Sequence, residues 1–152
     1  MADAINPAHY RGLFQPKDIQ CIAVTRQLDF DLGCWFKYLF RLGNKDDTKQ
    51  EFDKARWYME DWFAHHPPID PVITKSVSLF VCKETDVMPI RNPFAEKARI
   101  AFEAIQEPPY SNEELHARWE LLRLITDDYI MPAWWRQKMD AYENKYLKEQ
   151  TP

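Results

Sequence analysis

Apolar residues recur three and four positions apart through most of this chain, the spacing that gathers them on one face of a helix. Ile19, Ile22 and Ala23 follow Pro16, a residue suited to a first turn, and predict a helix that ends near Leu28. From about Asp31 to Leu42, the positions Leu32, Trp35, Phe36, Leu39, Phe40 and Leu42 cover most of the circumference. That helix is expected at the centre of the core. Gly43 is a natural stop, because a left-handed cap residue costs glycine nothing. Asn44 to Asp47 reads as a polar turn. Thr48 and Glu51 have the spacing of a capping box, with Asp46 or Asp47 as alternative caps. Phe52, Ala55, Met59, Trp62 and Phe63 line the next helix, which His65-His66-Pro67-Pro68 ends, since proline cannot continue the ladder.

Pro67 to Pro71 is the clearest boundary in the chain. In Val72 to Cys82, the positions Ile73, Val77, Phe80 and Val81 fit a helix, although the β-branched content also suits a strand. Asn92-Pro93 joins a capping residue to a first-turn proline, and Phe94, Ala98, Ala101, Phe102 and Ile105 give the inner face of a helix closed by Pro108-Pro109. Ser111 and Glu114 read as a second capping box, ahead of Leu115, Trp119, Leu122 and Ile125. Pro132 is expected to break or kink that helix, and Trp134 to Leu147 forms the last one. The fold class is therefore all-α: a compact helical bundle built on an N-terminal hairpin core, residues 1–66, with C-terminal helices, residues 67–152, packed on it as one unit.

Composition narrows the chemistry. The 152 residues are 45% hydrophobic and 14% aromatic, enough apolar surface to argue against disorder. A net charge of -4 gives no general attraction to nucleic acid or anionic membranes, so neither is an expected partner, and any phosphate must be held by a local basic cluster. Cys21, Cys34 and Cys82 are odd in number and far apart, which suits reduced thiols in a cytoplasm better than disulfides or zinc. Residues 1–7 carry no apolar run of a signal peptide, and no stretch nears the length of a spanning helix. The glycines are Gly12, Gly33 and Gly43, a set that fits neither a Walker loop nor Gly-x-Gly-x-x-Gly.

Three groups of polar residues could carry chemistry. Lys37 and Arg41 are four apart on one helical face, and Lys45 lies just past the helix end. Cations converging in this way suit a phosphate, although pairing with Asp53 or Asp31 on a solvated face is the plainer alternative. His9 and Tyr10 join a proton donor to a ring that can stack on a base, or else bond a helix end. Glu51, Lys54, Tyr58 and Asp61 form a stripe that could face Lys37 and Arg41 across a hairpin, or serve as ordinary surface ion pairs. His65-His66 lacks acidic partners at ligand spacing and reads as a polar helix end, not a metal site. Glu113, Glu120 and Asp127 share a face but lack the i,i+3 acidic pairs of helical magnesium sites, and read as solvated.

The ordered set Asn6-Pro7-Ala8-His9-Tyr10, Asp18-Ile19, Leu32-Gly33-Cys34-x-x-Lys37-Tyr38-Leu39-x-Arg41-x-Gly43-x-Lys45 and Glu51-Phe52-x-Lys54-Ala55-x-Trp57-Tyr58 resembles the SaV-like phage protein family, over about residues 5–63. One branch of that family looks like a deoxynucleoside monophosphate kinase without a P-loop. The resemblance implies phosphoryl transfer from a nucleoside triphosphate to a (deoxy)nucleoside monophosphate in a phage-infected host cytoplasm, with no magnesium requirement readable. It implies catalytic roles for His9, Lys37 and Arg41, and substrate contacts for Tyr10, Tyr38, Lys45, Lys54 and Tyr58. Cys34 departs from it, standing where the family usually has asparagine, and Trp35 is bulkier than the family's usual residue. The alternative is a non-catalytic phage early protein that binds a host or phage protein. Trp134, Trp135, Tyr142 and Tyr146 are its candidate anchors, with at least one of the two tryptophans expected in the core. Homo-oligomerisation is a third expectation, from the aromatic content.

Overall fold

The computed structural model describes residues 21–43, 47–66, 89–104 and 112–148. Helices dominate it. A short helix, α1 (Ile22–Thr25), leads into α2 (Phe30–Phe40), and α3 (Thr48–His65) comes next. Asp29 starts α2 by accepting a hydrogen bond from the Leu32 amide at 3.1 Å, which satisfies one of the donors a helix start leaves unpaired. Past the end of α2, Gly43 takes φ +85, the left-handed geometry expected of it. Asp47 caps α3 through the Gln50 amide at 3.0 Å. The Thr48–Glu51 capping box is not the one used, because Glu51 turns inward and is 1% exposed.

Contacts at both ends make α2 and α3 an antiparallel hairpin. The start of α2 meets the end of α3, where the Trp62 indole donates to Asp29 at 2.7 Å. The end of α2 meets the start of α3, where Arg41 donates to Glu51.

In the second half, β1 (Ile90–Arg91) pairs antiparallel with β2 (Tyr129–Ile130), in the register Ile90 to Ile130 and Arg91 to Tyr129. Between them lie α4 (Ala95–Glu103), α5 (Glu113–Leu122) and a 3-10 turn over Arg123–Thr126; after β2 come α6 (Pro132–Tyr142) and a π turn over Glu143–Leu147. Asn92 is not simply a helix cap. Its side chain donates to the carbonyls of Ile125 (2.8 Å) and Asp127 (3.1 Å) and accepts from the Phe94 amide, locking the ladder to the start of α4. Asn112, not Ser111, caps α5 through the Leu115 amide at 3.0 Å. Pro132 breaks nothing. It sits in the first turn of α6, where its missing N–H removes no helical bond. The expectations for Pro16, Val72–Cys82 and Pro108-Pro109 lie outside the described residues.

The core runs through both halves of the chain. Trp35 of α2 packs on Trp135 of α6 with ring centroids 4.7 Å apart, Phe36 meets Phe102 of α4 at 6.3 Å, and Phe52 stacks on Tyr142 at 5.8 Å. Burying each such ring stabilises the fold by about 1.5–3 kcal/mol relative to leaving it in water. Ion pairs tie the same elements together at their rims. Arg136 of α6 forks onto Glu60 of α3 at 2.7 and 2.9 Å. Arg118, 6% exposed on α5, holds Glu114 and reaches the Phe40 carbonyl that ends α2. Among the described residues no helix is long and apolar enough to cross a membrane.

Candidate functional site

The hairpin gathers four residues from two helices around one ring. Tyr38 leaves α2 half-buried, and Tyr58 of α3 stacks on it with centroids 5.9 Å apart and planes 19° from parallel. The Lys37 ammonium lies 4.7 Å from the Tyr38 centroid, the Arg41 guanidinium 4.8 Å and the Lys54 ammonium 5.6 Å. Spacing explains the convergence. Lys54 and Tyr58 are four apart on α3, as are Lys37 in the last turn of α2 and Arg41 just past its end, and the antiparallel turn lays one pair beside the other.

The cations are not equivalent. Arg41 is 4% exposed, and its Nε and Nη2 donate to Glu51 Oε2 at 3.1 and 2.9 Å. The other Glu51 oxygen accepts from Lys54 at a longer 3.5 Å. Arg41 thus works from beneath, anchoring the carboxylate that joins it to Lys54, and is not an open clamp for phosphate. Neither Asp53 nor Asp31 pairs with these cations. Asp53 takes Lys49 at 2.6 Å, and Asp31 faces Asp61. Lys37 has no carboxylate partner among the described residues. His9, Tyr10 and Lys45 lie outside the described residues.

Two thiols of this part of the chain are buried. Burial pushes Cys21 up to about 12, against the opposing pull of Lys37 and Arg41. Burial raises Cys34.

At the other end of the hairpin the carboxylates crowd. Burial, a hydrogen bond to Asp61 and repulsion from Asp61 and Asp29 push Asp31 up to about 6, partly offset by His65. Periodicity gave no sign of this pair, because its members lie on different helices. His65 and His66 each place Nδ1 2.8 Å from a carbonyl of the last turn of α3, those of Asp61 and Trp62. Both are helix-end residues, and no group of three or more potential metal ligands occurs among the described residues. Glu113 and Glu120 are exposed and have separate neighbours: Glu120 lies 3.9 Å from His116, while Lys145, and after it the Tyr146 hydroxyl, holds Glu113 low.

Beside Lys54 an open depression of about 680 Å³ is bordered by Asp47, Lys49, Gln50, Asp53, Lys54 and Trp57 of the α3 surface. A second groove, about 330 Å³, lies between α5 and α6 over Ala117, Leu121, Ala141 and Tyr142.

Fold and site together define a mostly helical protein with a cationic aromatic face on a central hairpin and, in the whole sequence, no glycine-rich phosphate loop. Residues 5–60 match the family described as Protein of unknown function (DUF3310). That stretch contains every residue of the Tyr38 cluster. No curated protein and no solved structure matches the chain.

Proposed function

We propose that this protein binds a (deoxy)nucleoside monophosphate on the Lys37–Tyr38–Lys54–Tyr58 face and transfers a phosphoryl group to it from a nucleoside triphosphate, without a P-loop. The observation that carries the reading is the charge around one ring. Lys37, Arg41 and Lys54 bring three positive charges to Tyr38, with Glu51 holding Arg41 and Lys54 together. A phosphomonoester carries about -1.5 to -2 near neutral pH, and a cluster of cations beside an aromatic ring suits it. The kinase step comes from the family resemblance, and the charge arrangement is compatible with it. A phosphate oxygen of the monophosphate attacks the γ-phosphorus, the bond to the bridging oxygen breaks, and two nucleoside diphosphates leave. Such a transfer asks the protein mainly for positioning and charge neutralisation. Lys37 and Lys54 supply the charge, and the buried Arg41–Glu51 pair fixes where Lys54 sits.

The test is to incubate the purified chain with dTMP or dGMP and a nucleoside triphosphate, with and without magnesium, and to measure diphosphate. Lys37→Ala and Lys54→Ala are expected to lower turnover about ten-fold or more at unchanged melting temperature, in line with the loss of a charge-assisted contact. Folded protein that yields no diphosphate from any common monophosphate overturns the transfer.

Trp134 favours a second reading, that of a non-catalytic protein that binds a host or phage protein. It is 55% exposed, with the Lys138 ammonium 5.3 Å from its ring, while Trp135 is buried. Loss of a specific captured partner in Trp134→Ala, with nucleotide binding intact, would favour this reading.

A further inference from the structure

Trp57 sits in the middle of α3 and remains 61% exposed, although a tryptophan ring is among the largest apolar surfaces a chain can bury. Its ring stands edge-on to Tyr58, with centroids 5.1 Å apart and planes at 83°. It is thereby joined, through Tyr58, to the Tyr38 stack. Gln50, Lys54 and Trp57 succeed one another at steps of four and three, so they share a stripe of the helix, and all three border the open depression of about 680 Å³. Lys49 and Asp53 border it too, but they pair at 2.6 Å and Lys49 also holds Glu143 at 2.9 Å. The cation that faces both the depression and the Tyr38 ring is Lys54.

We infer that Trp57 is the base-stacking residue of the site: the depression takes the nucleobase of a nucleoside monophosphate on the Trp57 indole, with the phosphate on Lys54. This rests on the nucleotide-binding reading above and deepens it. An indole suits the task because every base has a π face, so stacking secures affinity with little sequence preference. The Gln50 amide, able to donate and accept, is placed to meet the edge of the base.

The experiment titrates the full chain with dTMP, dGMP and the base-free probe 2-deoxyribose 5-phosphate, by calorimetry or ligand-observed magnetic resonance. Wild type, Trp57→Leu and Trp57→Phe are compared, each checked for an unchanged helical spectrum and melting temperature. Wild type is expected to prefer the nucleotides over the sugar phosphate. Trp57→Leu is expected to lose about ten-fold or more in nucleotide affinity, the size of one stacked base, while sugar-phosphate affinity stays within about two-fold. Trp57→Phe should retain most of the preference. Nucleotide affinity unchanged in Trp57→Leu overturns this inference and leaves the nucleotide-binding reading standing. A wild type that binds the sugar phosphate as well as the nucleotides also overturns it. No binding of any nucleotide by wild type overturns both.

Discussion

Replacing Glu51 by glutamine keeps the shape of the side chain and removes the charge that Arg41 is buried against. Arg41 is 4% exposed and Glu51 1%, and two hydrogen bonds of 3.1 and 2.9 Å join them. Neutralising one partner of such a buried pair costs about 3–5 kcal/mol. For a domain of this size each kcal/mol moves the melting temperature by about 2–4 °C, so Glu51→Gln should melt about 6–20 °C below wild type. The assay is urea unfolding monitored by circular dichroism, with thermal melts alongside. An Arg41→Met, Glu51→Leu double variant should recover part of the loss, because replacing a buried ion pair by apolar groups of similar volume is often neutral or stabilising. A Glu51→Gln protein within about 0.5 kcal/mol of wild type, the range of ordinary surface changes, would refute the assignment of Arg41 as a buried anchor.

The carboxylate pair and the core packing give two further expected outcomes. The folded protein holds the Asp31 proton up to about 6, against an ordinary value of 3.8. This group therefore costs stability as pH rises through that window, and Asp31→Asn should melt higher than wild type at pH 7–8 and near it at pH 4, whereas parallel pH profiles would exclude the carboxyl pair. Trp135→Ala should cost about 3–5 kcal/mol in urea unfolding and Trp134→Ala less than about 0.5, since only the first ring fills the core; equal costs would contradict the placement of Trp135 against Trp35.

The helices of this chain are legible because each buries one face, and a buried face writes its period into the sequence. Leu32, Trp35, Phe36 and Leu39 announce α2, and Phe52, Ala55, Met59 and Trp62 announce α3. What periodicity cannot carry is the partner of a charge on another element. Glu51 looks like a capping residue because three positions separate it from Thr48, while its true partner, Arg41, is ten positions away and reachable only once the hairpin closes. The Asp31–Asp61 pair escapes for the same reason. The β1–β2 ladder is two residues on each strand, too short for alternation to appear, and Asn92, which secures it, resembles a helix cap because it also bonds the Phe94 amide. Of the site, Lys37, Tyr38, Lys54 and Tyr58 are readable as stripes on two helices. Trp57 is not, because an exposed tryptophan on the outer face has no signature that separates it from a core residue out of phase.

The reliance of the hairpin on the C-terminal helices for its cover has a comparative consequence. Trp35, Phe36 and Phe52 are covered by Trp135, Phe102 and Tyr142, all outside residues 5–60. In this protein the matched stretch is a keel, not a hull. A relative that carried the hairpin without these later helices would have to shield the same aromatic flank with other residues or with a second copy of itself, so such chains can share a site while differing in how many subunits build it.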